Sequence, residues 1–350
     1  MKSFEQTCFT QQPITQKLLQ TIRLIGEYKG KQELYKQQAP QVLETLRQSA
    51  MIQSTESSNR IEGITVPLGR IRKLVRDRTT PRDRSEQEIA GYRDVLHTIH
   101  TSYSYIPFTA NIVLQFHRDL YQFSVGVGGY WKTTENQITA TTPDGKQVVR
   151  FTPVAAYATS QAMEQLHDRF NLFWHQGEVE PLLLIASYVL DFLCIHPFLD
   201  GNGRMARLLT LLLLYQAGYE VGRFISLEQI VERTKESYYD ALYQSSQNWH
   251  EGNHSLLPWW EYFLGVMLLG SYREFEQRIG VIEGAKGTKT VMVLQAIESL
   301  PWEFSIRDLQ QRCPIVSVDL IRRILRQERD EGRIECVGRG VDARWRKLGN

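Results

Sequence analysis

Cysteine is nearly absent from this 350-residue chain, and the four present, Cys8, Cys194, Cys313 and Cys336, lie far apart with no CxxC pair. That scatter argues against a disulfide framework or a cysteine zinc site and reads as reduced thiols in a cytoplasmic protein. Long apolar runs are missing as well. The two richest, 181–195 and 205–215, are too short or too interrupted by polar residues to span a bilayer, and MKSFEQTCFTQQP at the start carries no apolar secretion segment. No membrane partner is therefore expected. Charge of one sign is not in excess either: 41 basic against 39 acidic residues leave a net +2, which does not by itself point to nucleic acid. What is abundant is apolar composition, 42% of a chain long enough to bury a large core in two or three domains.

The most informative stretch is 182–214, two apolar helical runs joined by IHPFLDGNGRMAR. LLLIASYVLDFLC and MARLLTLLLLY both have core-helix density, so the polar loop between them is clamped between buried elements. Pro197 stops the first helix and leaves His196 at its end. Gly201 and Gly203 flank Asn202 in a turn just before the second helix, where turn and first-turn N–H groups form a cradle for anions. Arg204 and Arg207, three apart, lie on one side of that helix and can reach a polyphosphate together. Asp200 beside an anion site makes chemical sense if a cation such as magnesium bridges it to phosphate. His196 is the only group in the loop able to take a proton near neutral pH. The composite is a magnesium-nucleotide site with a general base.

Residues 196–207 resemble, position for position, the HPFxxGNGRxxR signature of the Fic family. The resemblance implies a mainly α fold: a Fic helical core with a β-hairpin flap, to which this chain adds an N-terminal helical arm and a C-terminal winged helix domain. It implies a protein adenylyltransferase that moves AMP from ATP to a Ser, Thr or Tyr hydroxyl of a protein and releases diphosphate. His196 would deprotonate the hydroxyl, Asp200 would hold Mg2+ or Mn2+, Asn202 with the Gly201 and Gly203 backbone would position the phosphates, and Arg204 and Arg207 would bind the outer ones. Ser58-Asn59-Arg60-Ile61-Glu62-Gly63 matches the family's inhibitory [S/T]xxxE[G/N] pattern. By that resemblance Glu62 pairs with Arg207 in place of the ATP γ-phosphate and Ser58 anchors the segment. Another nucleotide, or removal of AMP, stays open as an alternative because the motif fixes phosphates better than base.

On the N-terminal side of this centre, residues 14–50 have the periodicity of one or two helices, and 54–63 reads as a loop with a helix end. GRIRKLVRDRTTPRDR, 69–84, lacks aromatic interleaving and reads as a solvated linker; Ser85 with Glu88 has capping-box spacing for the next helix. The expected domains are 1–84, 85–279 and 285–350. Thr109 caps a helix to Phe123, in which His117 is a structural histidine. Gly126 to Arg150 carries a hairpin signal around Pro143-Asp144-Gly145, and the flap resemblance places the protein substrate at about 133–142. A helix is expected over 153–170. Among Tyr238, Tyr239 and Tyr243, Tyr239 is the candidate for the adenine, on the family's Tyr-Tyr pair. His250 and His254 lack the acidic company of a metal site.

After a glycine-rich linker at 280–287, helix, helix, turn, helix and hairpin resemble a winged helix-turn-helix. From Ala285 onward 13 basic and 9 acidic residues give only a modest excess for phosphate binding. Arg322, Arg323 and Arg326, with Arg344 and Arg346 on the wing, could face DNA through 305–346 and make the chain a DNA-binding regulator. Protein docking or a homodimer is the competing expectation for this module.

Overall fold

The computed structural model describes residues 2–38, 40–124, 128–141, 145–284, 288–313, 316–338 and 343–348. Several sequence expectations lie outside them: Gly126, Thr142 and the Pro143-Asp144 turn, 285–287 of the expected linker, whose first part, 280–284, is instead helical, and Pro314. The chain is mainly helical with two small antiparallel sheets, the fold class read from the sequence. Its residues divide into two compact units, one of 1–29 and 46–273, the other of 30–45 and 274–350.

Helices α1 (Gln6–Gln11), α2 (Gln16–Gln38) and α3 (Pro40–Ile61) open the chain. The stretch expected as a loop at 54–63 is instead the last two turns of α3, where Ser54, Thr55, Ser57, Ser58 and Asn59 are all buried. Polar residues along that face conceal it from a search for apolar periodicity. Gly63 then takes a left-handed φ of 82°, and the Ile64 N–H returns to the Asn59 carbonyl at 3.0 Å, closing the helix.

The expected linker at 69–84 is corrected in turn. Leu68–Arg76 forms α4, whose Ile71 and Leu74 are buried against Ile89. Asp83, not Ser85, caps α5 (Arg84–Ser102), its carboxylate accepting the Glu86 N–H. Glu88 is thereby free of the capping task and turns inward. Thr109 caps α6 (Ala110–Leu120) as expected. The hairpin follows: β1 (Ile138–Thr141) pairs antiparallel with β2 (Gln147–Phe151), and β2 is exposed over its first four residues. A helix expected from 153 begins later, as α7 (Thr159–Gln176), ended by Gly177 at φ 69°.

The centre of this unit is α8 (Pro181–Ile195) against α9 (Asn202–Gln216). Nearly every side chain of both is buried, at roughly 2 kcal/mol of transfer free energy for each fully buried leucine. Polar groups surround α8 in satisfied pairs. Trp249 donates to Asp191 at 2.6 Å, Trp259 to the Ala186 carbonyl at 2.7 Å and Trp260 to Ser187 at 3.0 Å. Ser3 also donates to Asp191, at 2.5 Å from its hydroxyl, and touches His254. Burial holds the Asp191 carboxyl up at about 6 despite these bonds. The amphipathic run after Ser226 is two helices, α10 (Leu227–Arg233) and α11 (Lys235–Ser246), broken at Thr234; α12 (Leu257–Trp260) continues through a π-helical stretch into α13 (Leu269–Gly284).

The second unit contains α14 (Thr288–Ser299), β3 (Glu303–Ser305), α15 (Ile306–Arg312), α16 (Val318–Asp330), β4 (Ile334–Val337) and β5 (Arg344–Lys347). Its sheet runs β3-β5-β4, all antiparallel. Ser305 and Asp308 form a reciprocal capping box on α15, and Ser317 caps α16. Among the described residues no helix is long and apolar enough to cross a membrane, and no group of three His, Cys, Asp or Glu could hold a metal ion.

Candidate active site

The end of α8 is bent by His196 itself, which adopts the left-handed conformation at φ 50° and ψ 61°, uncommon for a residue with a side chain. Its N–H still closes the helix on Phe192 at 2.9 Å. The imidazole Nδ1 lies 3.2 Å from the Leu193 carbonyl, which can only accept, so Nδ1 carries the proton and Nε2 keeps the lone pair. Burial depresses the imidazole pKa to about 4, outweighing the Leu193 bond that opposes it, and Lys132 depresses it further. Near neutral pH the ring is therefore uncharged, the form that takes a proton.

The loop after it is braced from within. Asn202 accepts from the Phe198 N–H at 2.9 Å and donates to the Phe198 carbonyl at 2.7 Å. Gly201 stands at φ 82° and gives its N–H to Asp200 at 2.7 Å. His117 accepts the Gly129 N–H on Nδ1 at 3.0 Å, which leaves Nε2 to donate to the Asp200 carbonyl at 3.1 Å. Its ring stacks on Phe198 with centroids 3.6 Å apart, so the structural role expected of His117 is what its contacts show.

Two arginines project from the first turn and a half of α9, and they do different things. Arg207 donates from Nε to the Ser58 hydroxyl at 2.8 Å, and one terminal nitrogen donates to the Ser58 carbonyl at 2.9 Å and to Glu62 Oε1 at 2.7 Å. Arg204 points the other way. Its guanidinium is 1% exposed and donates to Glu88 and to the Tyr121 hydroxyl, each at 2.7 Å, with Asp200 Oδ2 at 3.6 Å. Arg204 does not line the cavity, and its expected contact with outer phosphates is corrected: the guanidinium braces the loop from below, because Glu88 supplies a buried carboxylate for it there. The three-residue spacing puts both arginines on one side without telling which partner each meets.

A cavity of about 1030 Å³ opens over this loop. Glu62, His196, Asp200, Gly201, Asn202, Gly203 and Arg207 line its floor, Gln137 to Thr139, Arg150 and Phe151 of the hairpin one wall, and Lys235, Tyr239 and Tyr243 of α11 another. Ser58 stands behind the floor, holding Arg207. Tyr239 is 41% exposed into this space; Tyr238 also borders it but is buried against Trp259 and Tyr262. Gly203 lets the Glu62 carboxylate come this close: a Cβ there would meet Glu62 Oε1 and push that side chain aside. The Glu62 carboxylate thus occupies the mouth of the α9 N-terminus, where an anion is favoured. Asp200, its side chain 62% exposed, is the single carboxylate on the loop, which fits a hard divalent ion that takes its other oxygens from phosphate and water.

Sequence reasoning misses the parts played by Glu88, Tyr121, Lys132, Asn136, Arg60 and Lys235. Arg60 reaches Glu232 at 3.0 Å and Lys235 donates to the Ile61 carbonyl at 3.2 Å, fastening the end of α3 beside the cavity. A buried charge among apolar neighbours on its helix, Glu88 with Ile89 and Tyr92, is the one readable signal among these.

Residues 107–214 match the model of the Fic/DOC family. Protein adenylyltransferase fic-1 of Caenorhabditis elegans is 38% identical over 76 residues, covering 21% of this chain and 14% of that protein. A Fido domain-containing protein of Dictyostelium discoideum is 36% identical over 59 residues, covering 17% of this chain and 41% of that protein. The chain thus spans less than half the length of these curated relatives. Among solved structures, a Fic family protein from Desulfovibrio desulfuricans superposes over 97% of this chain and 98% of its own with a TM-score of 0.63 at 22% identity. A Fic domain containing signaling protein from Bacteroides thetaiotaomicron does so over 71% of this chain and 94% of its own, at 0.60 and 23%. These likenesses speak for the fold.

Proposed function

The chain carries a Fic domain, and from that premise we propose that it is a protein adenylyltransferase held inactive by Glu62. The observation that carries this reading is the Glu62 carboxylate, bonded to Arg207 and lodged against Gly203 at the N-terminus of α9. A carboxylate there satisfies the guanidinium as a γ-phosphate would and repels the phosphate it displaces.

With Glu62 withdrawn, the anion cradle of Gly201 to Gly203 and the freed Arg207 take the ATP phosphates. A hydroxyl oxygen of the target attacks the α-phosphorus, the bond from that phosphorus to the bridging oxygen breaks, and diphosphate leaves. His196 Nε2 accepts the hydroxyl proton; its neutral state and fixed tautomer suit that task. Asp200 would hold Mg2+ or Mn2+, which neutralises charge on the polyphosphate. Tyr239 offers an aromatic face to the base. Among the described residues β1 pairs only with β2, so its other edge is open to an extended target segment near 133–141, read through backbone rather than side chains.

Intact-mass analysis of the Glu62→Gly protein with each nucleoside triphosphate and a cell lysate tests the reading. One added AMP, on the protein itself or on a target and absent in His196→Ala, is expected from ATP. No adduct from any nucleotide would refute it, and release of AMP from a modified protein would favour the reverse reaction.

A second reading concerns the second unit. Its order of helix, strand, two helices and hairpin, with β3-β5-β4 pairing, supports a winged helix. On α16, Arg322, Arg323, Arg326 and Arg329 are exposed, while Glu328 and Glu331 pair with Arg333, and Glu303 and Glu335 with Arg346. That pairing takes Arg346 out of the DNA set; Arg322 lies 3.7 Å from Asp319 and Arg329 2.7 Å from Asp330, so Arg323 and Arg326 remain as the exposed α16 arginines best placed for duplex DNA. A gel shift with short duplexes that weakens with salt is expected, unchanged by His196→Ala; no shift at low salt removes the idea.

A further inference from the structure

The carbonyl groups of Leu193 and of residues 195–198, at the end of α8 and through the turn after it, each meet a hydrogen-bond donor. Leu193 is taken by His196 Nδ1. Those of residues 195–198 are taken by one short segment that leads into the hairpin. Lys132 Nζ donates to the Ile195 carbonyl at 3.1 Å, the Lys132 backbone N–H to Pro197 at 2.8 Å, and Asn136 Nδ2 to His196 at 3.4 Å and to Phe198 at 3.1 Å. Lys132 Nζ also donates to Asn136 Oδ1 at 2.8 Å, so the two side chains act as one unit. Trp131 leans on Phe198 from the same segment, with ring centroids 5.3 Å apart.

A lysine in this place is expensive. Lys132 is 3% exposed, and desolvation pulls its pKa down to about 8. An apolar residue of similar length would fill the space without that cost. What the ammonium supplies here, and an apolar side chain would not, is a donor to the Ile195 carbonyl at the negative end of α8, which a left-handed His196 prevents from continuing into helix. It also supplies a donor that holds Asn136 against the two carbonyls it takes. A left-handed residue with a Cβ is strained and persists only where its surroundings hold it.

We infer that Lys132 and Asn136 are positioning residues for His196: they clamp the left-handed turn, and with it the orientation in which Nδ1 is tied to Leu193 and Nε2 is left as the base. They touch no reacting atom. Because β1 begins two residues after Asn136, the clamp also joins the segment offered to the target directly to the residue that takes its proton. This inference rests on the adenylyltransferase reading for its kinetic part only.

The test uses the full chain in the Glu62→Gly background, with Lys132→Met, Asn136→Ala, both together, and Lys132→Arg. Turnover of AMP transfer at saturating ATP is expected to fall on the order of 100-fold in the first two, the cost of misplacing a catalytic group by about 1 Å. KM for ATP should move less than about threefold, the double variant should be no slower than the worse single one, and Lys132→Arg should keep most of the turnover. Independently of activity, the imidazole nitrogen-15 spectrum of His196 should change from the Nδ1–H tautomer to a mixture in Lys132→Met and Asn136→Ala, at a temperature where melting curves show the variants folded. Unchanged turnover with an unchanged His196 spectrum overturns the inference, as does an equal loss of turnover and ATP affinity with that spectrum intact. If the Glu62→Gly parent transfers no nucleotide, the adenylyltransferase reading fails and the spectrum alone decides the clamp: persistence of the Nδ1–H tautomer in both variants rejects it. If Lys132→Met does not fold, Asn136→Ala carries both readouts.

Discussion

Glu62 Oε1 and Arg207 meet at 2.7 Å across 145 residues of sequence, and the same guanidinium is fixed from behind by the Ser58 hydroxyl at 2.8 Å. The arginine is buried and its partner half-exposed, so the pair can be opened from the cavity side alone. Replacing Glu62 by Gly removes the competing carboxylate and one charged hydrogen bond, a contribution of about 1.5–3 kcal/mol. ATP affinity should rise by roughly ten- to a hundredfold, and AMP transfer with it. Ser58→Ala should act in the same direction but more weakly, since Glu62 keeps its own bond. Titration of nucleotide into the three proteins checks the order; equal affinities would remove Glu62 from regulation.

The Arg204–Glu88–Tyr121 group leads to a different expectation. Both charges are buried, so removal of either takes from the other its 2.7 Å partner, while Glu88 keeps Arg84 at 3.0 Å and Arg204 keeps Asp200 at 3.6 Å. The loss is roughly 3 kcal/mol, the low end for a broken buried pair. Arg204→Ala and Glu88→Ala should each lower the unfolding free energy by about that amount, and the double variant should fall well short of the sum. Denaturant unfolding measures this. Additive losses would show that the two residues do not act as a pair.

Acid should weaken the fold through its buried histidines. His100 is depressed to about 3, and His117, His196 and His254 to about 4, in every case chiefly by burial. Each stays neutral in the native protein while the unfolded chain takes up a proton near the ordinary value of about 6.5. Their contribution is complete above about pH 6.5 and is lost progressively as pH falls toward 4, because the unfolded state then binds more protons. Melting temperature should hold steady from about pH 8 to 7 and decline from about 6.5 to 4.5. A flat profile across that window contradicts the burial argument.

How much of this is legible in the sequence depends on the kind of residue. His196, Asp200, Gly203 and Arg207 stand in one contiguous loop between two apolar runs, so their proximity follows from sequence order. Ser58 and Glu62 come only through resemblance to a family pattern; nothing in their own periodicity announces a buried helix face. Arg204 is misplaced because spacing gives the side of a helix but not the partner, and Glu88, assigned to a cap, is that partner. Lys132 and Asn136 are invisible for a related reason: they satisfy backbone carbonyls, and a carbonyl left over by a left-handed turn is known only once the turn is. The linker at 69–84 fails because two buried residues, Ile71 and Leu74, suffice to dock a helix of nine.

Tyr238 and Tyr239 are adjacent in sequence and should respond oppositely to truncation. Tyr239 faces the cavity, with the Lys235 ammonium 5.9 Å from its ring centroid, and its loss removes an aromatic face worth roughly 1–3 kcal/mol to a stacked base. Tyr238 is 5% exposed and packs edge-on against Trp259 and Tyr262, so its truncation opens a void in the core at about 3–5 kcal/mol. Tyr239→Ala should therefore weaken nucleotide binding at near-parental melting temperature, while Tyr238→Ala should melt early. Binding isotherms and melting curves recorded on both variants separate the two effects. Should Tyr239→Ala bind ATP as the parent does, the base lies elsewhere in the cavity, and the neighbouring Tyr243, whose ring sits 5.0 Å from the Arg150 guanidinium, becomes the aromatic face to test.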